Sequence, residues 1–180
     1  GLENIPEQGA CLLVCNHVSY VDALLIGGSV RRPARFVMAK PIYDMPLMNI
    51  LFRTGKTIPI DSKERNPEVY QAAFRRIREE LEDGQVVCLF PEGKLTSDGE
   101  LAEFKSGMEK IVKETPVPVI PMALSGLWGS FFSHKGGPAL SRPPKRFWSR
   151  IKLNVGPAVA PTAVNREQIR QTVLSLRERP

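Results

Sequence analysis

The chain predicts an α/β domain, on three observations. Short β-rich runs alternate with segments of helical periodicity along its 180 residues. One of those helices carries its own start and stop signals. Length and composition suit a single substantial core, with 42% hydrophobic and 24% charged residues, ordinary for a globular chain. Residues 1–180 are therefore read as one domain.

The first predicted strand is "ACLLVC" (10–15), a continuous apolar run of the buried kind. A short helix over 21–26 follows, then the strand "ARFVMA" (34–39), a helix over 45–52 and the strand "TIPI" (57–60). The clearest helix spans 67–83. Asn66 is its N-cap and Pro67 takes the first helical position. Val69, Ala73, Phe74, Ile77 and Leu81 form its apolar stripe, and Gly84 stops it. The strand "QVVCLF" (85–90), a helix over 105–114, the strands "VPVIPMAL" (117–124) and "RIKLNV" (150–155) and a helix over 166–177 complete the order. Residues 136–144 are expected to form a mobile loop. No internal repeat or low-complexity tract interrupts the pattern.

The net charge of +6 is unevenly placed. Residues 115–166 hold no Asp or Glu but seven basic residues: Lys135, Arg142, Lys145, Arg146, Arg150, Lys152 and Arg166. Trp128, Phe131, Phe132, Phe147 and Trp148 are interleaved with them. Basic and aromatic residues together suit an anionic membrane surface or single-stranded nucleic acid, the plainer reading being a solvated basic face. No apolar run is long enough to span a membrane, and the N-terminus lacks the pattern of a signal peptide. From the blunt start, a domain cut from a longer protein is expected.

Cys11, Cys15 and Cys88 all lie in strand-like apolar runs, as small buried hydrophobes do. A zinc site from Cys11, Cys15 and His17 fails on distance. Four residues of strand span about 13 Å, whereas sulfurs sharing a zinc lie about 4 Å apart. No metal is expected.

His17 is one of only two histidines. It follows a strand that ends in the polar pair Asn16-His17, and such pairs lie at the carboxyl edge of a sheet, where α/β sites form. Histidine is the side chain best suited to take a proton near neutral pH. Asp22, five residues on, can bond one ring nitrogen and leave the other free as a base, provided that His17 sits in the turn and Asp22 in the first helical turn. No serine is placed as a nucleophile: Ser19 is too close in sequence, and no G-x-S-x-G elbow exists. The proton therefore belongs to a substrate.

A second stretch, "VVCLFPEGKLTSDG", ends a buried strand at Phe90. Pro91 blocks its extension, and Glu92 and Gly93 open a loop at the same edge. Glycine lets backbone approach a ligand, and Lys94 adds a cation for phosphate or carboxylate. "GKT" at 55–57 is not a phosphate-binding loop, because position 50 is isoleucine and a strand follows.

These blocks carry a resemblance. "NHVSYVD" matches N-H-x-x-x-x-D of the glycerolipid acyltransferase family, the lysophospholipid and 1-acylglycerol-3-phosphate acyltransferases. "FPEGKLT" and "VPVIPMAL" resemble its F-P-E-G and V-P-V-x-P-V blocks, in family order from His17 to Pro121. The resemblance implies a mixed, largely parallel sheet flanked by helices. It implies acyl transfer from an acyl-CoA or acyl-carrier-protein thioester to a lysophospholipid hydroxyl, with His17 as general base and Asp22 orienting it. Asn16, Glu92, Gly93 and Lys94 would help to hold the acceptor. No cofactor is implied beyond the acyl thioester co-substrate. The expected partners are the lysophospholipid, the thioester donor and a membrane surface, with no nucleic acid. The expected location is the cytoplasmic face of a membrane, bound peripherally or tethered by other segments.

One departure stands out. The family's second block resembles G-x-I-F-I-D-R, with an arginine for the acceptor phosphate, yet this chain reads "GKTIPIDSKER" and has Ser62 there. Lys63, Arg65 or Lys56 would supply charge nearby, but a lysine does not reproduce a bidentate guanidinium. The form resembles branches that reacylate lysophospholipids such as lysophosphatidylethanolamine. The rival readings are a hydrolase that uses the same His–Asp pair and a non-catalytic lipid- or nucleic-acid-binding module.

Overall fold

The computed structural model describes residues 1–46, 49–130, 133 and 150–178. Six strands form one sheet in the order β3-β2-β4-β1-β5-β6. They are β1 (Cys11–Cys15), β2 (Ala34–Ala39), β3 (Ile58–Ile60), β4 (Val86–Leu89), β5 (Val119–Ser125) and β6 (Lys152–Val155). All neighbours run parallel except β5 and β6. The sheet is mixed and mostly parallel, and each expected strand is present within two residues at either end.

β1 lies between β4 and β5, and its five residues are fully buried. That explains an apolar run with no polar alternation: helices cover both faces. On one face Leu12, Val14, Val87 and Val119 meet helices α4 (Pro67–Glu82), α5 (Gly107–Glu114) and α6 (Arg166–Glu178). On the other, Cys11, Leu13, Cys15, Cys88, Ile120 and Met122 pack with Ile26 of α1 (Asp22–Ser29). Each fully buried aliphatic side chain here contributes about 1.5–3 kcal/mol.

α4 matches its sequence signals. The Asn66 side chain accepts from the amide of Val69 at 3.2 Å, and Gly84 takes a left-handed φ of 73° after the last turn. α1 outlasts its expected span, running through Gly27 and Gly28 to Ser29; packing of Ile26 against the sheet outweighs the weak helix propensity of glycine. The single helix expected over 45–52 is instead two short ones, α2 (Lys40–Tyr43) and α3 (Asn49–Thr54). Pro41 sits in the first turn of α2, and Pro46 falls between the two, where its missing N–H cannot continue a helix. Leu47 and Met48 lie outside the described residues. So do the expected loop at 136–144, His134, Lys135, Arg142, Lys145, Arg146, Phe131, Phe132, Phe147 and Trp148.

Burial pushes the Cys11 thiol up to about 11 and raises those of Cys15 and Cys88 further. The thiolate is the reactive form, so all three should be inert in the native protein. A disulfide reagent at mildly alkaline pH is expected to label them only slowly until denaturant is added. Labelling of the native chain at the rate of a free peptide thiol would contradict this packing.

Candidate active site

Five parallel strands send their carboxyl ends to one edge of the sheet, and the candidate residues emerge there. Asn16 is fully buried and acts as one more rung between β1 and β5. Its Nδ2 donates to the Leu124 carbonyl at 3.0 Å, and its Oδ1 accepts from the Leu124 amide at 2.8 Å. The chain then leaves the sheet as a tight loop closed by Asp22, the first residue of α1. Asp22 Oδ2 accepts from the amides of Val18 (2.7 Å) and Ser19 (2.9 Å) and from His17 Nδ1 (2.9 Å). The five-residue spacing works because His17 is in the turn and Asp22 opens the helix.

The carboxylate is fully buried, and its Oδ1 has no hydrogen-bond partner among the described residues. A carboxylate oxygen can only accept, so His17 Nδ1 carries the proton and Nε2 presents a lone pair. Nε2 bonds to nothing among the described residues, and the side chain keeps 21% of its surface exposed. One face of the imidazole lies on the Phe90 ring, with centroids 4.2 Å apart and an interplanar angle of 16°. The imidazole is thus fixed by a hydrogen bond at one end and a stacked ring at its side.

The loop after β4 holds the His17 backbone from both sides. Glu92 Oε1 accepts from the His17 amide at 2.7 Å, and the Thr96 amide donates to the His17 carbonyl at 3.0 Å. Glu92 Oε2 accepts from the Ala102 amide at 2.9 Å. Glu92 is buried, and burial raises its pKa, opposed by the amides of Ala102 and His17. A raised folded-state pKa favours folding in acid, and that contribution fades as pH climbs through it. The two amide bonds are what keep the ionised form tolerable in the buried site.

Gly93 takes φ +68°, and a Cβ there would fall 2.7 Å from Lys105 Nζ. The left-handed φ is what favours glycine here, since the Lys105 ammonium ends a flexible side chain that could move aside. Lys94 is exposed on the same turn. Lys63 and Arg65 sit elsewhere, in the exposed loop after β3. β3 is three strand positions from β1, about 14 Å at ordinary strand spacing. Arg65 faces Asp61 at 3.5 Å, and Ser62 Oγ accepts from the Arg65 amide at 3.1 Å. Asn16, His17, Asp22, Glu92 and Gly93 are therefore brought together, whereas Lys63 and Arg65 stand at the far end of the same edge. Phe90, Thr96, Ala102, Lys105 and Leu124 also build the site. Phe90 and Thr96 lie at the two ends of the FPEGKLT stretch and Leu124 closes VPVIPMAL, whereas no sequence pattern marked Ala102 or Lys105.

A buried carboxylate orienting a histidine at the carboxyl edge of an α/β sheet is an arrangement chemically able to take a proton from a bound hydroxyl. Residues 1–125 match the profile of the family described as Acyltransferase. The chain belongs to that family, in the glycerolipid acyltransferase group that its motifs resemble. A chloroplastic 1-acyl-sn-glycerol-3-phosphate acyltransferase of Brassica napus is 32% identical over 127 residues, 70% of this chain and 36% of that protein. The N-acylphosphatidylethanolamine synthase of Arabidopsis thaliana is 26% identical over 170 residues, 86% of this chain and 57% of that protein. The crystal structure of PlsC, the 1-acyl-sn-glycerophosphate (LPA) acyltransferase of Thermotoga maritima, superposes with a TM-score of 0.71 at 26% identity. That match covers 99% of this chain and 67% of PlsC. The chain spans only about a third of the first plant relatives, 36% and 35% of their lengths.

Proposed function

We propose that this domain transfers a fatty acyl group from a thioester, on coenzyme A or acyl-carrier protein, to the free hydroxyl of a lysophospholipid. The observation that carries the reading is the contact between His17 Nδ1 and the buried Asp22 carboxylate, 2.9 Å long, which leaves Nε2 as a base at the sheet edge. Nε2 takes the hydroxyl proton as the oxygen attacks the thioester carbonyl. The C–S bond then breaks, and the departing sulfur takes the proton back from the imidazolium. Asp22 stabilises that imidazolium, Glu92 positions its backbone, and Asn16 fixes the end of β1. Lys94, exposed on the turn after Glu92, is the cation for the acceptor's phosphate. No metal or bound cofactor takes part in this scheme.

The head group is read from Ser62. The Brassica napus and Pseudomonas aeruginosa relatives and PlsC are named for 1-acylglycerophosphate. In this chain the position for a phosphate-gripping arginine holds a serine whose hydroxyl caps its own loop. A phosphodiester acceptor such as lysophosphatidylethanolamine fits that change. The test is a panel of lysophospholipids offered with both thioester donors, scoring acylated lipid against free fatty acid. Free fatty acid as the only product would replace transfer by hydrolysis. The wild type is expected to prefer phosphodiester acceptors, and Ser62→Arg should shift preference toward lysophosphatidic acid. A clear wild-type preference for lysophosphatidic acid would instead point to Lys63 or Arg65 as the phosphate ligand.

A further inference from the structure

Residues 101–105 lead into α5 and belong to no strand or helix, so their backbone groups find partners elsewhere. The Ala102 amide donates to Glu92 Oε2 at 2.9 Å. The carbonyl of that same peptide unit, on Leu101, accepts from Arg170 Nη2 of α6 at 2.7 Å, and the Ala102 carbonyl accepts from Arg170 Nε at 3.0 Å. The described residues hold no cis peptide, and in a planar trans peptide the carbonyl and the N–H point opposite ways. The Leu101–Ala102 peptide is thus gripped at both edges, by Arg170 on one and by the Glu92 carboxylate on the other. Glu92 Oε1 in turn accepts from the His17 amide at 2.7 Å. A guanidinium on the last helix is therefore linked, through one peptide and one carboxylate, to the backbone of His17.

The grip is specific to arginine. Nε and Nη2 of one rigid guanidinium meet two successive carbonyls, a geometry that a single ammonium does not reproduce. A cation on the Leu101 carbonyl also polarises the peptide and makes its N–H a stronger donor to the buried carboxylate. Burial raises the Glu92 pKa, and the Ala102 amide comes first among the groups that lower it, before the His17 amide and the charges of His17 and Arg177. Other roles for Arg170 are weaker. Glu167 lies 3.6 Å from its Nη1 but is exposed, and such pairs contribute little. α6 is held on the sheet by Ile169, Val173 and Leu176, buried in the core cluster that also takes Leu101 and Phe104. The helix lies outside residues 1–125, which carry the family match, so no motif block contains this contact.

We infer that Arg170 is a positioning residue for acyl transfer: through the Leu101–Ala102 peptide and Glu92 it sets where the His17 backbone, and with it Nε2, stands at the sheet edge. This role deepens the acyl-transfer reading and rests on it, since Arg170 itself meets no substrate and acts only by placing the base.

The test pairs amide hydrogen exchange, read by NMR, with steady-state kinetics on the same variants. In Arg170→Gln the His17 amide should exchange at least about tenfold faster, while Leu13 in β1 and Val173 in α6 keep their protection. The kcat should fall about tenfold to a hundredfold with KM for donor and acceptor nearly unchanged, because the base moves and the contacts to substrate do not. Arg170→Lys, which keeps the charge but not the fork, should recover part of both losses. Methylguanidinium added to Arg170→Ala should restore more turnover than methylammonium does. Glu167→Gln removes the exposed ion pair, leaves the fork and should change neither measurement. If Arg170→Gln does not fold, Arg170→Lys is read by the same criteria. Unchanged exchange at His17, a fall in kcat without faster exchange there, or faster exchange with kcat unchanged would overturn the inference. Loss of protection throughout β1 and α6 in a folded variant would overturn it too, by assigning Arg170 to general stability. The two readings fail separately: a wild type that transfers no acyl group removes the proposed function, while exchange at His17 still decides whether Arg170 places that residue.

Discussion

His17→Ala is expected to reduce acyl transfer by about a hundredfold to ten-thousandfold, the usual range for loss of a general base, with the melting transition nearly unchanged. Fold and chemistry separate at this residue because the backbone, not the ring, is bound into the structure. The amide of His17 is held by Glu92 and its carbonyl by Thr96, and alanine keeps both. What disappears is the ring on Phe90 and the Nδ1 bond to Asp22. Turnover from the rate of thiol release, beside a melting curve by circular dichroism, decides the matter. Near wild-type turnover would remove His17 from the mechanism.

Asp22→Ala is expected to damage both stability and turnover, and Asp22→Asn mainly turnover. In the alanine variant the amides of Val18 and Ser19 lose their acceptor inside a buried loop. Each unsatisfied buried N–H costs about 1–3 kcal/mol. Two of them consume a large part of a typical domain stability of about 5–15 kcal/mol. Asparagine can leave an oxygen facing those donors, but it carries no charge to stabilise an imidazolium, and its NH2 lands where Asp22 Oδ1 has no partner. A loss on the order of a hundredfold or more in turnover should follow. If Asp22→Asn turned over at the wild-type rate, the carboxylate would be holding the loop and nothing else. The same melting and thiol-release measurements on both variants make the distinction.

The contrast between what was readable and what was not has a physical basis. The strands were readable because a parallel sheet covered on both faces demands unbroken apolar runs, and "ACLLVC" and "QVVCLF" can hardly be anything else. α4 was readable because Asn66, Pro67 and Gly84 act locally, within a turn of where they stand. The split of α2 from α3 turns on the single residue Pro46, set within an apolar density that reads as one helix. The contact between His17 and Asp22 was legible because both sit in one short loop. The roles of Asn16 and Glu92 were not readable, since each depends on a partner far along the chain: Leu124 for one, the His17 amide for the other. Side chains that bond to backbone leave no trace at the partner's position, because every residue type except proline carries the same amide. The far-off placement of Lys63 and Arg65 follows from strand order, which adjacency in sequence does not disclose.

The strand order also constrains how the molecule comes into being. β1 is made first, yet both its neighbours, β4 and β5, are made late, at Val86–Leu89 and Val119–Ser125. During synthesis the most apolar strand must therefore wait without a ladder on either side while most of the chain emerges. Pairings between such distant segments form slowly, and unpaired apolar strands are prone to aggregate. The His17 loop takes its clamps from residues 92–102 and its floor from Leu124, so the loop is completed in the same event that closes the sheet. A chain cut short before Ser125 would lack its catalytic geometry and its central strand pairing together. Shortened versions of this domain should emerge from the ribosome as clients of chaperones rather than as weak enzymes.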